Sequence, residues 1–103
     1  MKNKLKQSRD YFYIVRDRES AEARGVLRLD RQSDKSFLVS IYVDPSSYGK
    51  GVAKSALALA DKIFPEATFN AFVQRANLAS QRLFESAGYD RLSTEQFRRE
   101  PIG

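Results

Sequence analysis

The chain has 103 residues, a formal net charge of +5, and 42% hydrophobic against 30% charged residues, a balance expected of one water-soluble globular domain. It contains neither cysteine nor histidine, which excludes disulfides, thiolate metal sites, cysteine nucleophiles, imidazole acid–base catalysis and Ser-His triads. No apolar run approaches the ~20 residues of a membrane span, and Met1–Lys6 has charge with no apolar segment behind it, so the expected compartment is the cytoplasm, without a signal peptide.

In chain order, residues 1–10 come first, where Lys2, Lys4, Lys6 and Arg9 outnumber Asp10. They read as a flexible basic arm, and residues 11–103 as a single domain. Tyr11–Arg16 is aromatic and β-branched and predicts a strand. Arg24–Asp30 alternates, with Leu27 and Leu29 on one face and Val26, Arg28 and Asp30 on the other. After a polar connection over Arg31–Lys35, Ser36–Val43 predicts a third strand of a meander, with Phe37, Val39, Ile41 and Val43 sharing one face. Gly51–Phe64 has helical spacing, its stripe formed by Val52, Ala53, Ala56, Leu57, Ala60, Ile63 and Phe64, and Pro65 ends it. Ala67–Val73 predicts a short strand parallel to Ser36–Val43. A second helix follows, with Asn77 as N-cap and Gly88 just past its end, and Tyr89–Leu92 with Gln96–Pro101 supply a last hairpin. The expected fold is α+β: a mixed, mostly antiparallel sheet with helices, in the order β-β-β-α-β-α-β(β).

The junction between the third strand and the first helix carries the chemistry. Gly49 and Gly51 lie where backbone N–H groups and a helix N-terminus can receive a phosphate. A Walker A loop would need glycines where Tyr48 and Ala53 stand, although Lys54-Ser55 matches its end. A dinucleotide fingerprint beginning at Gly49-Lys50-Gly51 would need glycine at Lys54. An ordinary glycine turn ahead of a helix also accounts for this stretch taken alone.

Tyr48-Gly49-Lys50-Gly51-Val52-Ala53 is similar to the phosphate loop [QR]-x-x-G-x-[GA] of the GCN5-related N-acetyltransferases, with Tyr48 departing from the usual Arg or Gln. Asn77-x-x-Ser80-x-x-Leu83-Phe84-x-x-x-Gly88-Tyr89 resembles the second signature of the same family. The two in this order, with a strand between them, are far more specific than either alone. The resemblance covers about residues 11–100. It implies acetyl-CoA as cosubstrate, a small-molecule amine as acceptor, and no metal.

In that family acyl-CoA lies between two parallel strands that splay apart, here Ser36–Val43 and Ala67–Val73. The resemblance implies that Ile41 and Val43 pair with pantetheine amides through their main chain and that a backbone N–H near Tyr42 or Val43 polarises the thioester carbonyl. It further implies that Gly49–Ala53, including Lys50 and Val52, cradle the pyrophosphate, and that Asn77 and Ser80 meet the pantetheine arm. Many members protonate the departing thiolate from a tyrosine at the position of Phe84, which has no proton to give. Tyr42 is the candidate polar group at the reacting centre. The alternative to an enzyme is a non-catalytic acyl-CoA-binding or regulatory module, and a nucleic-acid-binding domain rests on the basic N-terminus alone.

Family members usually begin with a strand and two helices that build much of the acceptor site, so the resemblance implies a short member. Gly25–Asp30, Ser40–Pro45 and Asn77–Ser80 further resemble acetyltransferases of nucleotide-linked amino sugars, with Arg28 a candidate contact to acceptor phosphate or a solvated strand residue. A second subunit or an additional N-terminal domain is expected over the face carrying Tyr11, Tyr13, Val26, Leu38 and Tyr42.

Overall fold

The computed structural model describes residues 10–102, so the expected basic arm lies almost wholly outside the described residues. Strands β1 (Asp10–Arg16), β2 (Ala23–Ser33) and β3 (Ser36–Val43) form the expected meander. A 3-10 turn at Pro45–Ser47 leads to helix α1 (Val52–Ile63), followed by β4 (Thr68–Phe72), helix α2 (Leu78–Ser86), β5 (Asp90–Arg91) and β6 (Gln96–Arg99). One six-stranded sheet results, in the order β1-β2-β3-β4-β6-β5, and its single parallel pairing joins β3 to β4.

Alternation fixes which face is buried. Leu27 and Leu29 of β2, Phe37 and Val39 of β3, Phe69 and Ala71 of β4 and Phe97 of β6 lie on the inner face. Ala56, Leu57 and Ala60 of α1 and Phe84 of α2 close over them in one core. The small alanines at one helical stripe let α1 lie close to the sheet, while the aromatic rings fill the strand side. Asn77 caps α2 as expected, its Oδ1 accepting the Ser80 N–H at 3.1 Å, and Gly88 leaves the helix with φ of 91°.

Three expectations are corrected. Arg31–Lys35 is not a connection, because β2 runs on to Ser33 and only Asp34 and Lys35 form the turn; Arg31 holds it by donating to the Asp34 carbonyl at 2.7 Å. The last hairpin is shorter than expected, and β6 inserts between β4 and β5. Tyr11 and Tyr13 do not face outward: Tyr11 sits opposite Leu29 and Tyr13 opposite Leu27, and both pack on the core. The outer face instead carries Phe12 and Ile14 with Val26, Leu38 and Tyr42. Every residue of the string YFYIV is apolar or aromatic, so alternation alone gives no phase, and pairing with β2 sets it.

Candidate functional site

The site arises where β3 and β4 stop pairing. They are joined only at Ser36–Thr68, Phe37–Phe69 and Leu38–Asn70. Beyond Leu38 the two strands diverge around a cleft of about 770 Å³, lined on the strand side by Val39–Val43 and Phe72–Gln74 and on the helix side by the starts of α1 and α2.

Hydrogen bonding decides which β3 groups enter the cleft. The Asp44 N–H donates to the Arg24 carbonyl of β2 at 2.8 Å. In an antiparallel ladder, residues two apart point the same way. Tyr42, Ser40 and Leu38 therefore turn their main-chain groups to β2, and Val43 and Ile41 turn theirs away from it, into the wedge. Of Tyr42 and Val43, it is Val43 whose N–H is turned into the wedge, while that of Tyr42 is turned to β2. Gly25 permits this pairing, since a Cβ there would stand 2.5 Å from the Tyr42 carbonyl oxygen and 3.3 Å from a Val52 methyl of α1. On the other wall, the Val73 N–H donates to Glu95 at 2.9 Å, which leaves the Phe72 main chain facing the cleft.

The cleft ends at the N-terminus of α1. Gly49 and Gly51 have φ of 81° and 76°, a left-handed backbone that L side chains rarely adopt. Gly51 is the N-cap and supplies no side-chain cap, and no acidic residue lies in the first turn. The first-turn N–H groups are thus unclaimed by any side chain among the described residues, and Lys54 adds positive charge beside them. Such an end is a receptor for an anion.

Of the residues singled out in the sequence, Ile41, Tyr42, Val43, Tyr48, Gly49, Gly51, Val52, Ala53, Asn77, Ser80 and Phe84 all line this cleft. Lys50 does not. Tyr42 is 60% exposed and its side chain lies on the outer face of the sheet, away from the helices. Phe84 is 5% exposed, edge-on to Tyr89 at 5.0 Å and stacked with Phe97 at 6.0 Å, so its ring is core packing as much as cleft wall. The Asn77 Oδ1 is engaged as the helix cap, which leaves its amide N–H groups for the cleft. Arg28 is bound to Asp30 at 2.9 Å and lies over the Phe12 ring.

Two supports of the site had no signal in the sequence. Gln81 is 7% exposed, and its side-chain amide donates to the carbonyls of Val73, Gln74 and Thr94, tying α2 to the end of β4 and to the β5–β6 turn. Arg24 donates to the Ser47 hydroxyl at 3.3 Å and to Asp17 at 3.2 Å, fastening the turn before the glycine loop to the β1–β2 turn. Asp17 is held below the usual carboxylate range, first by the N–H groups of Ser20 and Glu19 and then by Arg24. Ser47 is buried, which a sequence reader would assign to a solvated turn. Burial raises the Tyr89 hydroxyl well above the ordinary tyrosine range, so it stays protonated.

A family model for the acetyltransferase (GNAT) family matches residues 1–89. The chain belongs to the GNAT acetyltransferase family. No curated protein sequence matches it. Among solved structures it resembles a protein named as an acyl-CoA N-acyltransferase from Klebsiella pneumoniae, with 17% identity, a TM-score of 0.78, and coverage of 94% of this chain and 75% of that one. The ribosomal-protein-S5-alanine acetyltransferase of Vibrio fischeri shares 14% identity at a TM-score of 0.76, covering 94% of this chain and 64% of the other. A mutant spermidine/spermine N-acetyltransferase from Vibrio cholerae shares 16% identity at a TM-score of 0.74, with coverage of 92% and 66%. At such identities the likeness is one of fold, and this chain spans roughly two thirds to three quarters of these structures. No helix among the described residues is long and apolar enough to cross a membrane, and those residues form no cluster suited to a metal ion.

Proposed function

We propose that this GNAT domain moves an acetyl group from acetyl-CoA to a small-molecule amine by direct attack within a ternary complex. The observation that carries the proposal is the wedge: unpaired main-chain groups of Ile41 and Val43 run along one wall and lead to an uncapped helix N-terminus. Pantetheine is an extended chain with two amides, and it pairs with such a strand edge as another strand would. The Gly49–Ala53 segment receives the pyrophosphate, where Gly49 and Gly51, lacking a Cβ, let the backbone come close. Asn77 and Ser80 meet the arm from α2.

In this reading the amine lone pair attacks the thioester carbonyl carbon. The Val43 N–H holds the oxyanion, the attacking nitrogen gives up its proton to water, and collapse breaks the C–S bond to release CoA thiolate and the neutral amide. Phe84 cannot donate a proton, so the sulfur leaves as thiolate and takes a proton from water. A thiol pKa of about 8.5 makes that tolerable near neutral pH, at a cost on the order of 10²-fold relative to an enzyme with a positioned acid. The Tyr42 hydroxyl, on the outer face beside the wedge, stands on the side from which an acceptor would approach. The acceptor class suggested by Gly25–Asp30 and Ser40–Pro45 is an amino sugar carried on a nucleotide.

Calorimetry with acetyl-CoA, followed by thiol release across a panel of amines that includes a nucleotide-linked amino sugar, tests the reading. Binding with amine-dependent release of CoA supports it. Absence of binding at ~1 mM acetyl-CoA overturns the CoA site. Binding with no release for any amine makes the domain an acyl-CoA-binding module.

A further inference from the structure

The rim of the glycine loop carries three side chains that the fold leaves unused. Tyr48 lines the cleft yet is 67% exposed, and among the described residues no other ring or guanidinium lies against it. Its backbone is fixed. The Tyr48 N–H donates to the Pro45 carbonyl at 3.3 Å, and the buried Ser47 before it is held by Arg24. A flat ring is thus presented on a braced turn. Lys50 and Lys54 are both exposed, and among the described residues neither has an ion-pair partner. The Lys50 N–H is consumed by the Ser47 carbonyl at 3.2 Å, so its ammonium is what it can offer a ligand. Lys54 is the third residue of α1, where the helix macrodipole disfavours a cation. The first acid of that helix, Asp61, is already bound to Arg99. Cations held against a helix dipole weaken the fold until an anion joins them.

We infer that Tyr48, Lys50 and Lys54 form a subsite for the adenosine and ribose phosphate of CoA, so that the domain takes free CoA thioesters in preference to pantetheine thioesters borne on a carrier protein. This subsite presupposes the acyl-CoA reading proposed above. In CoA, pantetheine and adenosine lie on opposite sides of the pyrophosphate. With pantetheine directed along Ile41 and Val43 into the wedge and the pyrophosphate at Gly49–Ala53, the adenosine is left outside the cleft, over the exposed rim of the loop. There the base has the Tyr48 ring to stack on, and the ribose phosphate has two ammonium groups that no carboxylate claims. A carrier-borne pantetheine ends in a single phosphodiester. It has no base for the ring and no second phosphate for the lysines.

Calorimetry on the full chain at low salt tests the subsite with acetyl-CoA, acetyl-dephospho-CoA and acetyl-phosphopantetheine, the last being the carrier-borne group. Each truncation is expected to weaken binding by roughly tenfold, the first through loss of the ribose phosphate and the second through loss of the base. The double variant Lys50→Gln/Lys54→Gln should erase the first step, and Tyr48→Ala the second. Both should bind acetyl-phosphopantetheine within about twofold of wild type. Thermal unfolding without ligand gives an independent reading: Lys54→Glu should raise the midpoint by about 3 °C, because an acid suits the first turn of a helix. Equal affinity for the three ligands overturns the subsite and leaves the acyl-CoA reading standing, whereas no binding of any of them overturns both. Lysine variants that weaken acetyl-phosphopantetheine as much as acetyl-CoA overturn the subsite, since the ammonium groups would then serve the pyrophosphate. A midpoint that Lys54→Glu leaves unchanged or lowers also overturns it, since Lys54 would then have a partner within the fold.

Discussion

Strands β3 and β4 have two ends that behave as opposites. At the Phe37–Phe69 end they pair, and the space beside them is packed with rings: Tyr11–Phe64 at 5.1 Å, Phe37–Phe64 at 4.8 Å and Phe37–Phe69 at 6.0 Å. Arg99, 3% exposed, closes that end by donating to Asp61 at 2.8 Å and to the carbonyls of Phe64 and Ala67, with its guanidinium over Phe69 at 4.3 Å. At the Val43–Phe72 end the strands share no hydrogen bond, and Phe72 is 65% exposed. A wedge stays open only if its closed end resists collapse. The aromatic and guanidinium packing supplies that resistance, so that cleft-facing backbone can stay unpaired without loss of the fold.

Substitutions that separate the two ends should separate binding from stability. The largest effect is expected from Gly51→Glu. Its carboxylate meets the pyrophosphate, a like-charge contact costing several kcal/mol, so affinity for acetyl-CoA falls by about 10³-fold in calorimetry. The left-handed φ adds only about 1–2 kcal/mol of strain to the fold, and nothing stands within 4 Å of the new Cβ. At the closed end, Arg99→Met should cost about 3 kcal/mol in urea unfolding, because it strands Asp61 and two carbonyls. Remaining folded protein should still bind acetyl-CoA.

A smaller and more selective effect belongs to Arg24, which reaches the cleft only through Ser47. Arg24→Met should raise KM for acetyl-CoA by roughly tenfold with kcat near wild type, since the loop is loosened and the reacting centre untouched. Equal loss of kcat would place Arg24 elsewhere in the mechanism. Smallest is the acid dependence of the same fastening. Folding lowers the Asp17 pKa, so its contribution is full above the unfolded value of 3.8 and is lost as pH falls below it. Asp17→Asn should flatten that part of the stability profile measured by thermal unfolding between neutral pH and about pH 3.

Local chemistry made much of this readable from sequence. Alternation placed Phe37, Val39, Ile41 and Val43 on one face, helical spacing found α1, and Asn77 and Gly88 marked the ends of α2. The two motifs then brought the cleft together, Lys50 excepted. What could not be read depends on partners distant in the chain. The phase of β1 comes from its pairing with β2, and the placement of β6 between β4 and β5 comes from contacts across the sheet. Arg99 and Gln81 look like solvent residues in sequence, and they are buried because free carbonyls from other segments converge on them.

The central claim is that alternate residues of β3 present their main chain to acyl-CoA. Amide NMR during titration with acetyl-CoA tests it directly. The account predicts that Ile41, Val43 and the Gly49–Ala53 amides shift together at saturation, while Phe69, Ala71 and Phe97 at the packed side hold their positions. Saturable binding that leaves Ile41 and Val43 unmoved, or that instead shifts the closed end around Phe37 and Phe64, would contradict it.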